Sequence, residues 1–168
     1  GTVANIKGNN PGKTVALRAD IDALTLDDRT GCEYASEVPG MNHACGHDTH
    51  AAMLLGAAKI LNEMKDEING TVKLFFQPAE EVGIGARGMI ADGCMEGVDN
   101  VFAIHISSGV EIGTIASGAG GRMASADRFI INVTGKGGHR AAPHECVDAV
   151  YIASKIVVFP APVSPVIR

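Results

Sequence analysis

The sequence of 168 residues is 46% hydrophobic and carries a formal net charge of -5, enough apolar content to bury one sizeable core, or one domain and part of a second. Its acidic balance, with no cluster of Lys and Arg to track a phosphate backbone, argues against nucleic acid as a partner. Four widely spaced cysteines without a CxxC pair, an apolar stretch at 51–61 that Lys59 interrupts, and an N-terminus lacking a signal pattern exclude a disulfide framework, a zinc ribbon and a membrane span, so a soluble cytoplasmic protein is expected.

Residues 1–6 already read as a strand and include no initiator Met, which suggests that the sequence begins inside a longer protein. The turn signal Asn9-Asn10-Pro11-Gly12 precedes a β-rich run at 13–19 that ends in Arg18-Ala19-Asp20-Ile21-Asp22, a buried strand with acidic groups at its carboxyl end. Met53, Ala57, Ile60 and Met64, with Leu54 and Leu61 beside them, recur at helical spacing, which predicts a helix over 47–65 capped by Asp48 or Thr49. A strand at 71–77 stopped by Pro78, a short helix at 85–91 and a strand at 101–106 follow. Strands alternating with helices predict an α/β sheet. From 126 to 134 the pattern becomes a half-buried alternation, with Phe129, Ile131 and Val133 on one side and Arg128, Ile130 and Asn132 on the other. A glycine-rich turn and a helix at 144–158 come next, and the proline-rich run at 159–165 cannot continue that helix. The shift in pattern marks a second domain.

Cys45-Gly46-His47-Asp48, the adjacent pair Glu80-Glu81, and His105 at the end of an apolar run offer the side chains that bind borderline transition metals. In an α/β sheet ligands gather beyond the carboxyl ends of the strands, and these segments all follow predicted strands or open the long helix. Distance in sequence is therefore no obstacle to one site. His43 and His47 have the spacing of a helical zinc-protease motif, but Ala44 stands where its glutamate should be, so that motif is absent and His43 reads as structural. His50, one turn beyond His47, reads as helix packing in preference to support of a ligand. Asp20 and Asp22 read equally as hydrogen-bonding supports for a ligand histidine or as strand-end caps. Residues 83–88 spell G-x-G-x-x-G and raise a rival reading as a dinucleotide-dependent oxidoreductase, although Pro78 and two glutamates separate the motif from its strand.

The run Asn42-His43-Ala44-Cys45-Gly46-His47-Asp48-Thr49-His50, with Arg18-Ala19-Asp20-Ile21-Asp22-Ala23-Leu24 before it and Gln77-Pro78-Ala79-Glu80-Glu81 after it, resembles the dinuclear-metal aminoacylase and carboxypeptidase superfamily. The similar branch is that of the amidohydrolases which include hippurate hydrolase and the hydrolases of auxin–amino acid conjugates. Ala124-Ser125-Ala126-Asp127-Arg128-Phe129 and Gly135-Lys136-Gly137-Gly138-His139, with Ala141-Ala142-Pro143-His144, match it in the same order.

The resemblance implies a twisted, mostly parallel sheet with flanking helices over residues 1–117, a partial catalytic domain, and the start of a smaller α+β lid or dimerisation domain over 118–168. It implies that Cys45 bridges two divalent metal ions, zinc or manganese before cobalt or nickel, that His47 and His105 complete one ion's ligands, and that Glu81 holds the other. Glu80 becomes the general base for amide hydrolysis of N-acyl amino acids, and His139 reaches into the site of a neighbouring subunit in a homodimer. The branch takes a further histidine ligand from beyond these residues, so poor hydrolysis is expected of this stretch alone. A non-catalytic metal-binding or dimerisation fragment is the remaining alternative.

Overall fold

The computed structural model describes residues 1–121, 123 and 130–157. The chain divides into two compact units, Gly1–Ile115 and Ala116–Arg168.

The first unit is built on four strands, β1 (Thr2–Lys7), β2 (Asn10–Asp20), β3 (Asn69–Gln77) and β4 (Asn100–Ala103), and two helices, α1 (His47–Glu63) and α2 (Gly85–Ala91). The sheet order is β1-β3-β2-β4. β2 runs parallel to both β3 and β4, and β1 lies antiparallel on β3. The α/β arrangement expected from the alternation of strands and helices is thus found, with a mostly parallel sheet.

Parallel strands covered on both faces read as nearly continuous apolar runs, and β2 and β3 do so because each face meets a helix. On one face Ile6, Ala19 and Leu74 pack with Leu54 of α1, and Leu17, Ala58, Leu61, Ile68, Val72 and Phe76 close around them. On the other face Ala16 and Phe75 pack with Met89 of α2, flanked by Cys94 and Val98. Leu17 sits in register between Leu74 and Phe102, which centres the core on β2.

In the first unit three expectations need correction. The buried stripe of α1 is His47, His50 and Leu54, continued by Ala58 and Leu61, whereas Met53 and Ile60 are 42% and 60% exposed. The helix carries apolar residues over most of its circumference, so periodicity did not single out the face that the sheet selects. Neither Asp48 nor Thr49 caps it. Gly46 holds the N-cap position in the left-handed conformation without a side-chain cap, while Asp48 Oδ1 accepts from the Thr49 N–H inside the first turn. β4 ends at Ala103, opposite Arg18, where its ladder with β2 stops. His105 and Ile106 are thereby released from strand pairing.

In the second unit, residues 130–134 form no ladder, and Ile130 and Ile131 are exposed. The expected half-buried strand is therefore absent there, because no described segment pairs with its backbone, while 126–129 lie outside the described residues. A bridge between Lys136 and Val147 and a 3-10 turn at Pro143–Glu145 lead to α3 (Ala149–Val157). This helix starts later than expected because Asp148 Oδ1 accepts from the Val150 and Tyr151 N–H groups and caps it. Residues 158–168, with the proline-rich run, lie outside the described residues. Among the described residues no helix is long and apolar enough to cross a membrane.

Candidate metal centre

β2 delivers the chain to α1 on one face of the sheet, and its neighbour β3 delivers it to α2 on the other. Loops leaving adjacent parallel strands towards opposite faces open a crevice at the carboxyl edge, the usual ligand position in such sheets. The residues of interest line that edge.

Asp20, at the end of β2, is almost wholly buried. Its Oδ2 pairs with Arg18 at 2.8 Å, and its Oδ1 accepts from His50 Nδ1 at 2.6 Å. Burial pushes this carboxyl up, but the His50 hydrogen bond and the neighbouring positive charge of Arg18 outweigh it and hold it below the ordinary aspartate value. Asp22 works through its backbone as well as its side chain. Its carbonyl accepts from His47 Nδ1 at 3.0 Å, and its Oδ2 accepts from the Glu81 N–H at 3.1 Å. Burial again acts upward on the carboxyl, and the N–H groups of Glu81 and Glu80 more than reverse it.

His47 opens α1 fully buried. Nδ1 donates to the Asp22 carbonyl, so in the neutral ring it is Nε2 that offers a lone pair. That nitrogen has no hydrogen-bond partner, and neither has Asp22 Oδ1. Carboxylate oxygens nonetheless surround it: Asp20 Oδ2 and Glu81 Oε1 at 3.7 Å and Glu80 Oε2 at 3.9 Å. A buried imidazole nitrogen without a hydrogen-bond partner, its ring oriented by a carbonyl and faced by carboxylates, is a candidate metal-ligand atom.

Cys45 and His105 meet across the crevice, with Sγ 3.4 Å from Nε2. His105 Nδ1 donates to the Ile106 carbonyl at 2.6 Å, which leaves Nε2 as an acceptor. Burial, followed by the negative charge of Glu81, pushes the Cys45 thiol up. Between Cys45 and His47 glycine is favoured, for Gly46 has φ of 85° and an added Cβ would meet the end of the Ile106 side chain.

The turn after β3 sets the two glutamates. Ala79 adopts a left-handed φ of 53°, and its carbonyl accepts from the Ile84 and Gly85 N–H groups. The Glu80 carbonyl accepts from Gly83 N–H at 2.8 Å, and Gly85 lies so close under the Pro78 carbonyl that no side chain fits. Gly83 and Gly85 of the G-x-G-x-x-G run therefore serve this turn, and its mouth presents carboxylates instead of a cradle for pyrophosphate.

Ligand atoms fall into three groups: Cys45, His47 and His105; His47, Glu80 and Glu81; and Asp20, His47 and His50. In the third, both His50 nitrogens are already hydrogen-bonded. The first two provide a thiol, two imidazoles and two carboxylates, donors suited to borderline divalent cations. The four expected metal residues and Glu80 are thus brought together. His139 belongs to the second unit, where it is exposed in a turn closed by the Ala142 N–H to its carbonyl. His43 is exposed, and its carbonyl accepts from the Gly46 N–H. His50, read from the sequence as helix packing in preference to support of a ligand, is hydrogen-bonded through both ring nitrogens, to Asp20 and to the Ile106 N–H. Its place one turn after His47, with the acidic strand end of Asp20 and Asp22 upstream, was the available signal.

Residues 16–164 match the sequence pattern of peptidase family M20/M25/M40. The chain is similar to thermostable carboxypeptidase 2 of Saccharolobus solfataricus, with 54% identity over 92% of this chain and 40% of that protein. It is also similar to an N-acyl-L-amino acid amidohydrolase of Geobacillus stearothermophilus, with 47% identity over 92% of this chain and 42% of the relative. A solved dinuclear metal-binding peptidase of the M20 family from Bacillus subtilis superimposes with a TM-score of 0.62 and 46% identity over 62% of this chain and 29% of its own. The chain spans 40% and 42% of the two curated relatives.

Proposed function

The chain belongs to peptidase family M20/M25/M40, and on that premise we propose that the full-length protein is a metal-dependent amidohydrolase that releases the amino acid from N-acyl amino acids. The observation that carries this reading is the unpartnered Nε2 of buried His47, ringed by three carboxylates. The names of the two curated relatives agree on the bond, because a carboxypeptidase and an N-acyl-amino-acid amidohydrolase both cut an amide whose nitrogen belongs to an amino acid with a free carboxylate.

Cys45, His47 and His105 would hold one divalent ion, and Glu81 a second, with Cys45 shared. The thiol's sensitivity to Glu81 as well as its approach to His105 supports that sharing. When bound, such ions bring the loss of a proton from water to near neutral pH and polarise the scissile carbonyl. Asp22 keeps the His47 ring and the Glu81 backbone in place. Glu80, outside the ligand set, takes the proton of the attacking water, and after the tetrahedral stage returns it to the amine as the C–N bond breaks. Zinc and manganese suit the donors best, with cobalt and nickel admissible.

His139 contributes to substrate binding in a partner subunit's site, the full-length protein being a homodimer whose lid begins near residue 118, and the enzyme works in the cytoplasm. Chelation of the full-length protein should abolish hydrolysis of an N-acetyl amino acid, and zinc or manganese should restore it. Full activity after removal of metal would overturn the proposal.

A further inference from the structure

His50 is buried, and both of its ring nitrogens are committed. The Ile106 N–H can only donate, and it reaches His50 Nε2 at 3.0 Å. That nitrogen therefore carries no proton, and the ring's proton lies on Nδ1, 2.6 Å from Asp20 Oδ1. Asp20 is itself fixed by Arg18 at 2.8 Å. The His50 backbone N–H donates to the Gly46 carbonyl at 3.2 Å, between Cys45 and His47. One residue thus ties the end of β2, the first turn of α1 and the loop beyond β4.

The consequence falls on His105. Ile106 is held through its N–H by His50, and through its carbonyl it accepts the proton of His105 Nδ1 at 2.6 Å. That second bond leaves His105 Nε2 free to face Cys45 Sγ. β4 has already ended at Ala103, so no strand ladder fixes this loop. The His50 and His105 rings lie 4.6 Å apart, edge to face.

We infer that His50 is a positioning residue of the metal centre: as the Nδ1-protonated tautomer braced by Asp20, it anchors Ile106 and thereby aims His105 Nε2 at the place a metal would share with Cys45. This rests on the reading of Cys45, His47 and His105 as ligands. His50 takes no ligand position itself, since neither nitrogen is available.

Two substitutions separate the two ends of the ring. His50→Gln can place a carbonyl oxygen near the Nε2 position and keep the Ile106 bond, whereas His50→Asn can keep a donor to Asp20 but leaves the Ile106 N–H without an acceptor. Cobalt(II) titration of the metal-free full-length protein reads the outcome through the thiolate-to-cobalt absorption band, independently of turnover. The glutamine variant should bind within about threefold of the unaltered protein, and the asparagine variant about 10- to 100-fold more weakly, the scale for loss of a supporting hydrogen bond. A merely structural histidine would give losses that follow thermal stability, equal in both variants or absent from both, and that result overturns the inference. Absence of the thiolate–cobalt band in the unaltered protein overturns the metal-centre reading and this inference together, whereas a normal band with an unaffected asparagine variant removes only the positioning role. Should the asparagine variant not fold, nitrogen-15 NMR of histidine in the unaltered metal-free protein decides: a proton on His50 Nδ1 supports the inference, and one on Nε2 overturns it.

Discussion

Sγ of Cys45 and Nε2 of His105 stand 3.4 Å apart although sixty residues separate them in sequence. The histidine nitrogen is an acceptor, because its partner nitrogen donates to the Ile106 carbonyl, so the contact is a thiol donating to an imidazole. Burial and the charge of Glu81 raise the thiol above its usual value. A metal ion arriving at sulfur must therefore displace a proton near neutral pH, and metal affinity should rise with pH. Calorimetric titration of zinc into the metal-free full-length protein, in buffers of different ionisation enthalpy, should show about one proton released through the thiol. A heat independent of buffer would contradict this origin of the contact.

Glu80 and Glu81 both bring a carboxylate oxygen to the His47 ring, to within 3.9 and 3.7 Å of Nε2. Glu80→Gln in the full-length protein should retain metal and fold while kcat for an N-acyl amino acid falls by at least ~10²-fold. Near-normal turnover would remove Glu80 from the chemistry.

Gly46→Ala addresses the tight entry into α1. The end of the Ile106 side chain can rotate away from an added methyl group, so the lasting cost is that of a left-handed alanine at φ of 85°, about 1 kcal/mol. Urea unfolding should show a loss of that size, with weaker metal binding because Cys45 and His47 flank the strained residue. Unchanged stability would mean that the entry relaxes into another conformation.

Asp20 gives the molecule an acid-sensitive joint. Its carboxyl is held below the ordinary value because the His50 hydrogen bond and the Arg18 charge outweigh burial. A carboxyl lowered on folding contributes stability that is present above the unfolded-state value, near pH 3.9, and is lost as pH falls through the lower folded value. Unfolding experiments from pH 6 downward should show stability falling below about pH 4, and Asp20→Asn should flatten that part of the decline. An identical acid profile for the variant would place the sensitivity elsewhere.

Much of this was legible in the sequence because the chemistry sits in short runs. Cys45-Gly46-His47, Glu80-Glu81 and His105 offer together a set of donors that suits a metal, whatever their distance in sequence, and the ends of β3 and α2 follow from Pro78 and the local pattern. Properties that arise only when segments converge were not legible. His50 looks like any helix residue until Asp20 and the Ile106 N–H reach it from two other elements. The face of α1 was misjudged because Met53 and Ile60 are as apolar as Leu54 and Leu61, and only contact with Ala19 and Leu74 distinguishes them. Residues 130–134 have a strand's alternation but no ladder among the described residues, and alternation without a partner leaves the backbone unpaired.

A two-metal centre organised on Cys45 is tested by metal stoichiometry. Elemental analysis of the purified full-length protein should find two divalent ions per chain (about two, as the dinuclear arrangement requires), and Cys45→Ala, shown to be folded by circular dichroism, should lose most of both. Unchanged stoichiometry in the folded Cys45→Ala protein would exclude a centre bridged by Cys45.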